Sequence, residues 1–220
     1  MVSDAFNESD EFFQQTFRNV ASPQKTVQNK DFEDCRFDSC SFQEAEFSAC
    51  TFRESLFVGC NLSVMKVPNS RFVDVTFQRC KVTGVNWTAA QLSAIGMALT
   101  FEEQCVLDYS VFLGLKLRNT AFRHSTAREV DFTDADLSGC DFSRTDLSGA
   151  RFNRTNLSKA HLEGAFGYSI DLSANQLTGT RVSLPEAGSL LQLMGIHVVD
   201  NPTDMGARSE RRPGVDPRSS

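Results

Sequence analysis

Seven cysteines are the residues of this 220-residue sequence most able to do chemistry: Cys35, Cys40, Cys50, Cys60, Cys80, Cys105 and Cys140. Thiols in that number could hold zinc, close disulfides or attack a substrate. Their separations are all multiples of five, whereas a zinc site asks for close pairs such as C-x2-C, and an odd total leaves one thiol over. The three histidines, His124, His161 and His197, accompany no nucleophile motif, and neither a Gly-rich phosphate loop nor H-E-x-x-H occurs. The expectation is a protein that is not an enzyme and uses no metal or cofactor. The remaining chemistry is ionic. Asp34, Glu54 and Asp74 recur every 20 residues, and a row of carboxylates suits a basic groove on a partner.

What positions these residues is a repeat. Every fifth residue from Phe32 to Leu92 is apolar, thirteen in succession. Against a background of 40% hydrophobic residues, chance produces such a run about once in a hundred thousand trials. The series resumes in phase from Leu107 to Leu162, fails at Gly167 and ends at Val182. The position two residues before each centre is mostly small, and all seven cysteines fall there, so they read as small buried hydrophobes in a reducing compartment, the cytoplasm. A period of five fits neither a helix nor a flat strand. It suits a chain that turns a corner every five residues, with one large and one small side chain inward. Glycines two residues after a centre, such as Gly84, Gly139 and Gly149, occupy the place where a turn needs positive φ.

Ala135-Asp136-Leu137-Ser138-Gly139 and Ala150-Arg151-Phe152-Asn153-Arg154 resemble the A(D/N)LXX pattern of the pentapeptide-repeat family, a resemblance that covers residues 27–182. It implies an all-β fold, a right-handed quadrilateral β-helix with four pentapeptides per coil. A strand spacing of about 4.8 Å gives a rod roughly 35–40 Å long. Phe32, Phe52 and Phe72, and likewise Phe132 and Phe152, would stack as core ladders, each buried ring contributing about 1.5–3 kcal/mol. Within the family, Asn61-Leu62-Ser63 with Pro68, Gly84-Val85-Asn86-Trp87-Thr88 and Ser183-Leu184-Pro185-Glu186-Ala187 look like the albicidin-resistance pentapeptide proteins and, more distantly, the Qnr quinolone-resistance proteins. That resemblance implies a cytoplasmic homodimer that mimics DNA, binds DNA gyrase (and, as relatives often do, topoisomerase IV) and protects it from poisoning antibiotics, with no direct binding to nucleic acid. The alternative is a repeat scaffold that binds another protein through its flat faces.

The irregular segments divide the chain. Residues 1–26 lose the phase at Ser22-Pro23 and read as an irregular coil and loop. Residues 93–104 break the alternation, and Ile95, Gly96, Met97, Ala98, Leu99, Thr100 and Phe101 read as a projecting loop for partner contact. Residues 183–200 open on a capping-box pattern, Ser183 to Glu186, and predict a short helix followed by a strand at 196–199. Leu190, Leu191, Met194, Ile196 and Val198 there form the expected dimer interface. Residues 201–220, rich in Arg, Ser and Pro, read as a disordered tail. With 28 acids against 22 bases the net charge is −6, which disfavours phosphate-backbone binding. No apolar run is long enough to span a membrane, and the acidic start (Asp4, Glu8, Asp10, Glu11) predicts no secretory leader. Asp131, Arg151 and Asp171 should alternate in sign on one face, while Asp136, Asp141 and Asp146 on successive faces should spread a diffuse negative potential.

Overall fold

The computed structural model describes residues 6–92, 97–184 and 186–199. Over residues 11–182 the chain winds through about eight coils of a parallel β-solenoid. The first coil carries β1 (Glu11–Phe13), β2 (Thr16–Arg18) and β3 (Thr26–Gln28), and the second β4 (Asp31–Glu33), β5 (Arg36–Asp38) and β6 (Glu46–Ser48). The third carries β7 (Thr51–Arg53) and β8 (Leu56–Val58), the fourth β9 (Arg71–Val73) and β10 (Val75–Gln78), and the fifth β11 (Gln91–Leu92) and β12 (Leu99–Glu102). Strands β1, β4, β7, β9 and β11 form one parallel sheet, and β2, β5, β8, β10 and β12 another. The register is 20 residues, Phe12 on Phe32 on Phe52 on Phe72. Beyond residue 104 the wall consists mainly of single bridges, such as Asp131 to Arg151 and Asp136 to Asn156, with β13 (His161–Leu162) and β14 (Arg181–Val182) near its end.

The inward centres stack as the period requires. Ring centroids lie 4.9 Å apart for Phe32 and Phe52, 5.1 Å for Phe52 and Phe72, and 4.4 Å for Phe37 and Phe57. Phe132 and Phe152 stack at 5.4 Å in a ladder that begins at Trp87 and Phe112. Each centre faces inward because the residues on either side of it point out; β4 and β5 both show a buried residue between two partly exposed ones.

The small inward position has a second role that size alone does not disclose. Its thiol or hydroxyl donates to the carbonyl of a centre one coil below: Cys35 Sγ to Phe12 O at 3.3 Å, Ser70 Oγ to Phe47 O at 2.8 Å, Thr155 Oγ1 to Phe132 O at 2.9 Å. In the first half it also accepts a backbone N–H from the coil below, from Cys50 to Ser70 Oγ and from Cys40 to Cys60 Sγ. All seven cysteines are free and buried. Burial pushes the thiols of Cys35 and Cys50 up, and that of Cys105 up to about 11, which keeps them protonated as donors.

Three expectations require correction. Residues 11–28 form a regular first coil, with Ser22 buried at the centre position and Phe6 packed on the phenylalanine rings at that end of the solenoid. The Phe6 ring packs edge-on against Phe17 at 5.2 Å and Phe32 at 5.5 Å. The segment Ile95–Phe101 is not a loop throughout: Leu99, Thr100 and Phe101 lie in β12, and Phe101 is a core centre between Phe77 and Phe122 at 5.1 and 5.4 Å. Of the rest, Ala98 is buried, Met97 is exposed, and Ile95 and Gly96 lie outside the described residues. Finally, residues 196–199 follow α1 (Glu186–Leu193) without strand pairing. Ser183 Oγ is taken by the N–H of Gly164 at 2.8 Å instead of capping α1. The tail, 201–220, lies outside the described residues.

Candidate functional site: an acidic column on one corner

Asp34, Glu54 and Asp74 each stand at the turn that follows the first sheet, with φ of 51°, 50° and 53°. The N–H of Asp34 bonds Arg53 O at 3.0 Å and that of Glu54 bonds Val73 O at 2.9 Å, which places the three on consecutive coils of one corner. A coil spacing of about 4.8 Å gives a column roughly 10 Å long. All three side chains are exposed, and no Lys or Arg among the described residues forms an ion pair with any of them. Gln14, one coil lower, donates Nε2 to Asp34 at 2.9 Å. Within a Debye length of about 10 Å, the column acts on a partner as one field.

The carboxylates of the second half are arranged differently. Arg118, Arg123 and Arg128 reach forward to Asp136, Asp141 and Asp146 at 2.6, 2.7 and 2.6 Å, a staircase of pairs on three successive faces. The same carboxylates accept the N–H groups of Ser138, Ser143 and Ser148. Burial raises the Asp136, Asp141 and Asp146 carboxyls, but the serine and arginine hydrogen bonds outweigh it and hold all three below their ordinary range. These charges are therefore matched locally, which corrects the diffuse negative potential expected for them. The signal was present in the sequence as Arg-to-Asp steps of eighteen residues. Asp131 pairs with Arg151 at 3.0 Å as the alternation predicts, whereas Asp171 accepts from Ser173.

At the far end, Leu190 turns onto the solenoid core and is buried, so it belongs to the rod and not to a free interface. Leu191, Met194, Ile196 and Val198 are exposed, and Leu193 and Met194 line a groove of about 520 Å³ against Asp171 and Leu172 of the last coil. Among the described residues no group of three or more His, Cys, Asp or Glu is placed to hold a metal ion, and no helix is long and apolar enough to cross a membrane.

A model of the pentapeptide repeat region matches residues 30–104, and a model of pentapeptide repeats matches residues 116–154 and 128–164. No curated protein matches. Solved structures similar to this chain include the plasmid-mediated fluoroquinolone resistance protein QnrB1, full length, at 18% identity over 82% of this chain and 100% of that one, with a TM-score of 0.49. HetL, a pentapeptide repeat protein involved in heterocyst differentiation regulation in the cyanobacterium Nostoc sp. strain PCC 7120, is 18% identical over 79% of this chain and 87% of its own, with a TM-score of 0.41. A pentapeptide repeat protein of the Arabidopsis thaliana thylakoid lumen is 12% identical over 63% and 68%, with a TM-score of 0.22.

Proposed function

We propose, on the premise that this chain belongs to the pentapeptide-repeat family, that it is a non-enzymatic DNA mimic that binds DNA gyrase and protects it from topoisomerase-poisoning antibiotics. The observation that carries the reading is the unpaired column Asp34–Glu54–Asp74. One charge per coil of about 4.8 Å approaches the single-strand phosphate rise of about 3.4 Å in duplex DNA. Like charges at that spacing repel, so the column is a cost to folding that a partner with a basic groove would offset. The segment around Met97, exposed beside the column at the junction where Asp74 N–H bonds Met97 O at 2.9 Å, extends the same surface.

In this reading the protein acts as a homodimer, joined through Leu191, Met194, Ile196 and Val198. The exposed apolar side of α1 and the groove beside it are what a second copy would cover. The decisive experiment is a supercoiling assay with purified gyrase, a fluoroquinolone or albicidin, and the wild-type chain against a variant carrying Asp34→Asn, Glu54→Gln and Asp74→Asn. The wild type should restore supercoiling and reduce cleavage complexes, and the variant should not. No effect of the wild type at micromolar concentrations would leave the scaffold alternative, in which the flat faces bind another protein.

A further inference from the structure

Two corners further round the coil from the acidic column, another set of turn residues forms a ladder of its own. The N–H of Glu44 bonds Ser63 O, that of Val64 bonds Thr83 O, that of Gly84 bonds Asp108 O, that of Tyr109 bonds Arg128 O and that of Glu129 bonds Ser148 O, at 2.8 to 2.9 Å. One corner thus reads Glu44, Val64, Gly84, Tyr109, Glu129 on successive coils, with Gly84 and Tyr109 separated by 25 residues because of the insertion between them. Nearly every other turn residue of the rod is glycine or polar, as a left-handed backbone prefers. Val64, at φ 57°, is the only β-branched residue so placed among the described residues, and Tyr109, at φ 63°, the only Phe, Tyr or Trp. Both are unfavourable there, and both face water, at 49% and 64% exposure.

Between them lies a gap. At Gly84 the only atom of the described residues within 4 Å of the position of an absent Cβ is Val64 Cγ2, at 3.6 Å, so an apolar side chain from outside finds a methyl wall and open backbone. The two ends of the strip are acidic. Glu44 accepts amides of Gln24 and Gln43, and neither Glu44 nor Glu129 forms an ion pair among the described residues.

We propose that this corner is a docking strip for an extended segment of a partner protein that carries an apolar side chain with a Lys or Arg three residues to either side. The spacing sets that pattern. Glu44 and Glu129 each stand two coils from Gly84, about 10 Å, which is the reach of three extended residues at about 3.3 Å each. The phenol of Tyr109 adds an aromatic face to which a cation is attracted. Acid, apolar and acid on the rod thus complement base, apolar and base on the partner.

The probe is a fluorescein-labelled peptide, KSSFSSK, measured by fluorescence anisotropy at low salt, with ESSFSSE and KSSGSSK as controls. The first should bind with a dissociation constant below about 1 mM, and each control at least tenfold more weakly. Val64→Asn and Tyr109→Asn should each weaken binding about tenfold while leaving the thermal midpoint unchanged or raised, since Asn tolerates the left-handed backbone. Glu44→Gln with Glu129→Gln should weaken binding and flatten its salt dependence. Neutralising Asp34, Glu54 and Asp74 should leave the peptide bound as before, so failure here and failure of the gyrase reading are separable. The proposal is overturned if KSSFSSK does not bind, if KSSGSSK binds as well, if the variants bind normally, or if Tyr109→Asn lowers the midpoint and so shows the ring to be part of the rod's own packing.

Discussion

The two halves of the rod solve the same geometric problem with different materials. In coils 1 to 5 the centres are largely phenylalanine, the walls are strands, and many corners rely on a thiol or hydroxyl that bonds in two directions, as Ser70 does to Phe47 O and to the Cys50 N–H. In the later coils leucine alternates with phenylalanine, and the turns close on themselves, with the N–H of Cys140 on Leu137 O and that of Ala135 on Phe132 O. Charges differ as well: Asp131, Asp134, Asp136, Asp141 and Asp146 of the later coils are answered by Arg151, Arg154, Arg118, Arg123 and Arg128, while Asp34, Glu54 and Asp74 are left open. The outward turn positions of the first five coils carry the acidic column and all of the second strip except Glu129, which stands one coil further on.

The largest test of that contrast is in the stacks. Phe52→Ala removes a ring held between Phe32 and Phe72 and should cost about 3–5 kcal/mol, read from chemical denaturation. A cost below that of Leu137→Ala would show that the aromatic half is not the more tightly coupled one. Next in size is the corner donor. Ser70→Ala leaves the Phe47 carbonyl and the Cys50 N–H both without that partner and should cost about 1–3 kcal/mol. Cys140→Ala should cost less, because the Leu117 carbonyl keeps the Thr120 N–H at 3.1 Å. Equal losses would erase the distinction between the two kinds of corner.

Acid should separate the halves in the other direction. Asp136, Asp141 and Asp146 ionise more readily in the folded chain than the usual carboxyl, so their contribution is present above pH ~4 and is lost as the pH falls through their lowered values. Hydrogen exchange at pH ~3 should therefore expose amides of residues 131–151 before those of residues 31–58, and Asp146→Asn should reproduce part of the effect at neutral pH. Uniform loss of protection along the rod would contradict it.

The five-residue period made the core, the inward cysteines and the acidic column legible, because each depends only on phase. What phase could not show was an insertion equal to the period. Leu92 stacks on Phe72 and Phe101 on Phe77, so four extra residues precede Phe101 and one more precedes Leu107; the pattern returns in step and hides the shift. The first coil was hidden by Ser22, a polar residue buried at a centre position, and at Gly167, where the series fails, the neighbouring Tyr168 and Ile170 fill the core. The staircase of arginines needed a step of eighteen, which follows only once the position of each residue on the coil is known.

The smallest expected effect is the one that bears most directly on function. Replacing Asp34, Glu54 and Asp74 together by their amides removes like charges about 4.8 Å apart and exposed to water. The fold should become more stable, but only by a few tenths of a kcal/mol, since solvent and salt screen most of the repulsion. The corresponding triple in the second half, at Asp136, Asp141 and Asp146, leaves an amide oxygen for the N–H groups of Ser138, Ser143 and Ser148 but removes the charged oxygen that Arg118, Arg123 and Arg128 pair with, and should destabilise. Opposite signs for chemically identical substitutions on one rod, measured in the same denaturant, would mark the first column as charge held in place against the interest of folding. Matching signs would make it ordinary surface and remove the reason to assign it a basic partner.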